Sequence, residues 1–505
     1  MLSVPTREDS LAREATGIFG GPAGKRARIG GSGGFWSPLR VLIALAVFMT
    51  MLGWLQKEPC RDHAWGKGFE FTHVCYSDIF ALYYAEGLKD GQVPYVDHAV
   101  EYPVGIGFFM NVVAHAVRVV PDSQRAQRFL DLSVFLLAAA AVVVVVATAL
   151  TNRRRPWDAA FVALSPALIL HLGMNWDMLA AAALALAILA WSRQREVLAG
   201  VLLGVAIATK FYPGIVLFPL FFLCLRAGKL RSWTRTAGTA VVSTVLIYLP
   251  FWVTAPAFAA DAGKPVAPSA WQLWTHRAGI GDIVKALAIH HDGGINGTWR
   301  FFDLNTARPA DWNSIWYAIQ TWRGKSLDSG ASQHILNTLT LLTFVILAIG
   351  IAWLILRAPR RPRLGQVAFL ALLAFMMTSK VWSPQYVIWL VPLAALARPR
   401  WAMYVAWQLS EALMLMVQFF FFVHNGDSRR GVDVEWFIST VILRDLILLI
   451  FAALVVREIL KPELDIVRAD GSDDPAGGVL DGSVDSVKFG WLQQPIGDPA
   501  LSPAT

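Results

Sequence analysis

The sequence predicts an all-α polytopic membrane protein that crosses the bilayer about a dozen times, and three observations predict it. Of the 505 residues, 56% are hydrophobic and only 16% are charged, where a soluble domain carries about 25% charge. Mean hydropathy is +0.49, so the apolar residues cannot all hide in one aqueous core. The charge is also segregated: from Leu130 to Leu150 the only charged residue is Asp131, which marks a membrane span.

The net charge of +8 invites a nucleic-acid partner. The basic residues, however, sit in short clusters between apolar runs, and positive-inside anchoring explains them. A lipid bilayer is therefore expected as the partner, and no nucleic acid.

Residues 1–35 read as a flexible tail with a Gly-Gly-Ser-Gly-Gly stretch, and Lys25, Arg26, Arg28 and Arg40 assign it to the cytoplasm. The first apolar run, 36–56, follows too many polar residues for a cleavable signal and is expected to stay as an anchor. It opens a transmembrane domain over 36–460. An outer segment, 57–126, contains an amphipathic stretch from Asp78 to Lys89 and breakers at Gly91 and Pro94.

Residues 102–120 are apolar, yet counting them as a span would put Arg153, Arg154 and Arg155 outside. Laying them in the outer interface restores the alternation. Spans are then expected near 127–150, 157–172, 177–192, 196–209, 211–226, 234–253, 333–357, 364–379, 384–397, 401–423 and 434–457. A second outer segment covers 254–332. The acidic, Gly-rich stretch 461–505 is expected as a disordered cytoplasmic tail. Several spans fall short of the roughly 20 residues that a full crossing needs. Short helices of this kind would leave a cavity at the outer surface.

Ionisable residues at the depth of a span are costly and point to a site. Asp78, Glu101, Asn175, Asp177, Lys210, Tyr212, Lys380 and Gln385 all fall at outer ends of apolar runs. For Lys210 and Lys380 two readings stand: each snorkels to the interface, or both serve an anion such as phosphate. Asp78 is either a helix N-cap or a general base, and Glu101, before Tyr102 and Pro103, carries the same ambiguity. Asn175 and Asp177 read as turn residues or as site residues. The tryptophans of the second outer segment, Trp274 among them, form an interfacial belt or stack on a sugar or polyprenyl chain. Cys60 and Cys75 share the first outer loop and could pair there. His290, His291 and Asp292 lack a third ligand at metal spacing. No Gly-rich nucleotide loop follows a strand, and no strand pattern is visible. Neither a metal nor a nucleotide cofactor is expected.

An ordered set of short stretches resembles the GT-C glycosyltransferases, and glycosyltransferase family 87 most closely. They are Tyr76-Ser77-Asp78, Gly91-Gln92-Val93-Pro94-Tyr95, Glu101-Tyr102-Pro103 and Asn175-Trp176-Asp177. Further on come Ala199 to Gly204 leading to Lys210-Phe211-Tyr212-Pro213, and Lys380-Val381-Trp382-Ser383-Pro384-Gln385-Tyr386. The resemblance implies a GT-C bundle with interfacial helices in the first outer loop. It implies transfer of a sugar, mannose or arabinofuranose, from a polyprenyl-phosphate donor to a cell-envelope glycan or glycolipid. The acid of the first outer loop, which maps onto Asp78, would deprotonate the acceptor. Val104 after Pro103 departs from many relatives, and Glu70 or His73 would be the nearest upstream substitutes.

The scheme expected from these residues has Asp78 or Glu101 as base, and Lys210, Lys380, Tyr212 and Gln385 at the donor phosphate. Asn175, Asp177 and Trp274 would meet acceptor or sugar. No metal is required, because the leaving lipid phosphate carries less charge than a nucleoside diphosphate. The rival class is a transporter or flippase of a lipid-linked sugar.

Overall fold

The computed structural model describes residues 9–20, 36–63, 65–66, 68–259, 264–327 and 330–487. Among them, six helices are long and apolar enough to cross a membrane: Pro38–Arg61, Asp122–Thr151, Leu230–Thr254, Ala331–Arg357, Trp401–Gly426 and Val434–Leu460. They carry wide exposed apolar faces, with Val241, Leu246, Leu341, Ile346, Leu409 and Ile450 all bare. A soluble protein of this size would not leave so much continuous apolar surface open. The chain is a multi-pass helical membrane protein.

Between the long helices lie shorter apolar ones: Val104–Val119, Asp177–Ser192, Glu196–Thr209, Tyr212–Arg226, Leu364–Thr378 and Pro384–Ala397. The 14 residues of Glu196–Thr209 rise only about 21 Å at 1.5 Å each, against a hydrocarbon thickness near 30 Å. Such helices end part-way, and the chain turns inside the bundle. Close helix approach makes this possible. On Glu196–Thr209, a Cβ at Gly200 would meet Thr239 Oγ1 at 1.8 Å, and one at Gly204 would meet Ala240 O at 2.7 Å. The Gly-x-x-x-Gly spacing thus seats this helix against Leu230–Thr254 at backbone distance.

Three expectations need correction. The span expected over 157–172 is broken into Pro156–Ala159, Ala160–Ala163 and Ala167–Leu170. Pro166 supplies no N–H to a continuing helix, and the Ser165 hydroxyl binds Gln408 Oε1 at 2.8 Å instead. The tail expected to be disordered after residue 461 is folded as far as residue 487, because its acids meet the basic clusters. Asp465 binds Arg363 at 2.7 Å, Asp473 binds Arg360 at 2.7 Å, and Asp485 binds Arg226 at 2.8 Å. Its remainder, 488–505, lies outside the described residues. In the N-terminal tail, Ser10–Gly20 is a helix, anchored where Asp9 accepts the Trp401 N–H at 2.8 Å. Residues 1–8 and 21–35 lie outside the described residues.

The all-α expectation also needs one amendment. In the segment 254–332, strands Ala257–Phe258 (β1), Pro265–Ala267 (β2), His290–His291 (β3) and Gly294–Asn296 (β4) form an antiparallel sheet ordered β2-β1-β4-β3. Strands of two or three residues are too short to print a period-two pattern in sequence.

Candidate active site

The short helices and the two large loop segments enclose a cavity of about 360 Å³. Asp78, Glu101, Asn175, Lys210, Arg308 and Gln385 line it together with Tyr76, Tyr102, Tyr212, Tyr386 and Trp389. Phe211, Phe301, Phe375, Val381 and Leu82 add apolar surface to its wall.

Asp78 opens the helix Asp78–Ala85, but the N-cap is Ser77, whose hydroxyl donates to Gly173 O at 2.7 Å. The carboxylate of Asp78 therefore does not cap the helix. One oxygen accepts the Tyr76 hydroxyl at 2.8 Å and the other accepts Asn175 Nδ2 at 2.9 Å. The same amide nitrogen donates to Tyr102 OH at 2.8 Å. Burial holds the Asp78 carboxyl above the ordinary carboxylate range. The hydrogen bonds from Asn175 and Tyr76 and the charge of Lys210 oppose that effect, and Asp177 adds to it.

Lys210 follows the last turn of Glu196–Thr209 in extended backbone. Its ammonium is 3.2 Å from Asp177 Oδ1 and lies over the rings of Tyr102 and Tyr386, at 5.0 and 5.9 Å from their centroids. With 7% exposure the lysine does not snorkel. Its position rests on a stack: Tyr212 on Trp389 at 4.1 Å, and Trp389 on Tyr386 at 3.7 Å, with Trp389 Nε1 donating to Asp177 at 2.7 Å. The Tyr212 hydroxyl is buried in the cavity wall without a protein partner. An orphaned buried hydroxyl calls for a ligand or water.

The second cation of the cavity is Arg308, which pairs with Glu101 at 2.9 Å. Burial also raises the Glu101 carboxyl, and the Arg308 guanidinium counters it.

Lys380 is a correction. It does not line the cavity. Its ammonium donates to the carbonyls of Thr306 at 3.0 Å and Arg308 at 2.7 Å, while its own carbonyl accepts the Asp311 N–H at 2.8 Å. With two of its three N–H donors on these carbonyls and its side chain outside the cavity wall, Lys380 pins the loop that carries Arg308. Arg444 braces the same loop from Val434–Leu460, donating to Asn313 O at 2.7 Å and lying 3.8 Å from the Trp382 ring.

Asp177 and Trp274 are corrections as well. Asp177 is fully buried and absent from the cavity wall: Oδ1 is held by Lys210 and Trp389, while Oδ2 is buried without a hydrogen-bond partner. Trp274, in the helix Ala270–Thr275, is 64% exposed and away from the cavity, as a belt residue would be. The upstream substitutes do not reach the cavity either: Glu70 caps the Gly66 N–H at 3.1 Å, and His73 lies outside the wall. Asp78, Glu101, Asn175, Lys210, Tyr212 and Gln385 are brought together. Arg308 had no signal in sequence, being one arginine among several in a polar loop. Tyr102 and Tyr386 stood inside the motifs but carried no charge to mark them.

Cys60 and Cys75 form a disulfide, with Cα atoms 5.8 Å apart. The bridge ties the end of the first long helix to the loop bearing Asp78. Closing a loop of 15 residues contributes about 3 kcal/mol in the chain-entropy description. Digestion without reductant is expected to release the 60 and 75 peptides linked. Two freely alkylated thiols in the native protein would contradict this.

Among the described residues, no group of three or more His, Cys, Asp or Glu is placed to hold a metal ion. A fixed carboxylate and two cations around one cavity, inside a membrane bundle, can take a proton from a nucleophile and receive an anionic leaving group. That is the equipment of a membrane-embedded group transferase. The sequence pattern of glycosyltransferase family 87 matches residues 124–384, just over half of the chain. The protein belongs to glycosyltransferase family 87. No curated protein matches the sequence. Among solved structures, the oligosaccharyltransferase of Archaeoglobus fulgidus is similar in its complex with Zn and sulfate, at 14% identity and TM-score 0.32, over 88% of this chain and 52% of that one. Its apo form is similar at 12% identity and TM-score 0.33, over 85% and 56%. The chain thus spans about half the length of those structures.

Proposed function

We propose that the chain transfers a sugar, mannose or arabinofuranose, with inversion from a polyprenyl-phosphate donor to a cell-envelope glycan or glycolipid at the outer face of the plasma membrane. One observation carries the proposal: a single cavity holds a buried, hydrogen-bonded carboxylate, two cations and an apolar wall. The acceptor hydroxyl attacks the anomeric carbon and Asp78 takes its proton. The bond from that carbon to the phosphate oxygen breaks, and the electron pair leaves on polyprenyl phosphate. Lys210 and Arg308 stabilise the charge that develops there, and the Tyr212 hydroxyl supplies a further donor. Phe211, Phe301 and Phe375 offer apolar surface for the first isoprene units. The outer location rests on the alternation of basic clusters and on the loop segments 57–126 and 254–332, which supply Asp78 and Arg308.

A donor swap tests this. The solubilised protein is offered a radiolabelled polyprenyl-phosphate sugar or the matching nucleoside-diphosphate sugar, with an envelope lipoglycan fraction as acceptor. Label should enter the acceptor from the lipid donor alone, and efficient transfer from the nucleotide sugar would refute the donor class.

The pH dependence has a fixed sign. Asp78 acts as base only when ionised, and burial raises its carboxyl above the ordinary value of 3.8. Turnover should therefore fall as pH drops, with an acid limb above that value. A rate unchanged down to pH 4 in stable protein would remove Asp78 as the titrating base.

A further inference from the structure

On the far side of Asp78 from the cavity lies a cation that the proposed chemistry leaves unused. Lys57 lies near the end of the first long helix, Pro38–Arg61, and its side chain is almost wholly buried, at 1% exposure. Burying an ammonium at membrane depth is costly unless it does something there. Its Nζ donates to the Tyr76 carbonyl at 2.7 Å, and the Tyr76 hydroxyl donates in turn to Asp78 Oδ1 at 2.8 Å. The stem packs on the turn that holds the other carboxylate oxygen: Lys57 Cε lies 3.3 Å from where a Cβ on Gly173 would stand.

The loop around this contact is held at every residue from 74 to 78. Gln56 Nε2 donates to the Val74 carbonyl, and Cys75 is bridged to Cys60. Lys57 holds Tyr76, Ser77 binds Gly173 O, and the Asp78 N–H donates to Met174 O at 2.9 Å. Four of these five ties are neutral and would do for a merely structural loop. The fifth uses a charge, placed behind the one residue whose hydroxyl and side chain reach the base.

We infer that Lys57 is a positioning residue for the general base: it fixes the Tyr76 peptide so that the phenol stays on Asp78 Oδ1, and its buried charge favours the carboxylate form. The inference rests on Asp78 being the base. Lys57 touches neither donor nor acceptor, so its removal should be felt in turnover and not in donor binding. The groups that face Asp78 are Tyr76, Tyr102 and Glu101 from the first loop segment, Asn175 and Asp177 from the turn after Pro166, Lys210 from the opposite wall, and Asp311 from the second loop segment. Lys210 is the cation on the cavity side, paired with Asp177 at 3.2 Å, and Glu101 is paired with Arg308 at 2.9 Å. Lys57 is the cation on the side away from the cavity, and its loss should reach the carboxylate through the Tyr76 peptide and hydroxyl. His171, whose ring nitrogens are buried without partners, faces Lys57 from the same turn.

The test is a cycle of Lys57→Met, Asp78→Asn and the double variant, in purified full-length protein with turnover expressed per folded molecule. Lys57→Met keeps the stem and deletes the charge. It should lower kcat about ten- to hundredfold, leave the donor KM within about twofold, and move the acid limb of kcat upward. In the Asp78→Asn background the same change should cost less than about twofold further, because residues that act through one another are not additive. Wild-type kcat and an unmoved acid limb in Lys57→Met, alongside a dead Asp78→Asn, would overturn the inference and leave the proposed function standing. Near-normal Asp78→Asn turnover would overturn both. Full additivity would show that Lys57 acts elsewhere. If Lys57→Met does not fold, Lys57→Gln keeps an N–H donor without the charge. It should then recover part of the kcat with the acid limb still raised, and an acid limb at the wild-type position would overturn the inference.

Discussion

Asp78→Asn should lower transfer by about two or more orders of magnitude, the usual contribution of a positioned general base, while the protein stays folded. The substitution is nearly isosteric. Ser77, not Asp78, occupies the N-cap position, and the Asp78 carboxylate is engaged by Tyr76 and Asn175, so the helix start is not disturbed. The Tyr76 hydroxyl keeps an acceptor in the new amide oxygen. Asn175 Nδ2 loses its carboxylate partner but retains Tyr102 OH. What disappears is the capacity to take a proton. The donor KM should change little, because in the proposed transfer the carboxylate acts on the acceptor hydroxyl and not on the leaving phosphate. Near-normal turnover with normal folding would transfer the role to Glu101, the other acid of the cavity wall.

Arg308→Met should have the second-largest effect, a fall of about a hundredfold or more in kcat/KM for the lipid donor, in the range found when one electrostatic stabiliser of a developing anion is removed. The guanidinium pairs with Glu101, so a lipid phosphate would compete for it or share it. Arg308→Lys should recover only part of the loss, since a compact ammonium cannot present two parallel donors. Lys380→Met makes an instructive comparison. It removes a charge of the same sign, yet its ammonium reaches carbonyls and no cavity. Its effect should be smaller than that of Arg308→Met and should come with a lower thermal midpoint. A larger loss from Lys380→Met than from Arg308→Met, at unchanged stability, would reverse the two assignments.

The long helices were legible because hydropathy and basic clusters are properties of whole segments, averaged over some 20 residues. The broken stretch 156–170 was not, because its apolar content resembles a span and only Pro156 and Pro166 betray the break. The tail 461–487 looked disordered by composition. Its acids are ordered by arginines more than a hundred residues away, as Asp485 is by Arg226 and Arg361, and no local window contains both partners. In the site, Lys210 and Lys380 gave the same signal, a cation in apolar sequence beside a proline. Sequence reports that such a charge must be satisfied, and not by what. Lys210 found the Oδ1 atom of Asp177, and Lys380 found carbonyls. Arg308 was invisible for the opposite reason: a charge in a polar loop needs no explanation until the fold turns that loop inward.

The central claim is that the chain cleaves a polyprenyl-phosphate sugar and does not merely carry one across the bilayer. Its most direct test is product stoichiometry in proteoliposomes loaded with a polyprenyl-phosphate sugar labelled in both lipid and sugar, with acceptor on the outer side. One free polyprenyl phosphate should appear for each sugar joined to the acceptor, and Asp78→Asn should stop both together. Intact donor moving between leaflets with no free polyprenyl phosphate released would contradict the account and favour a flippase.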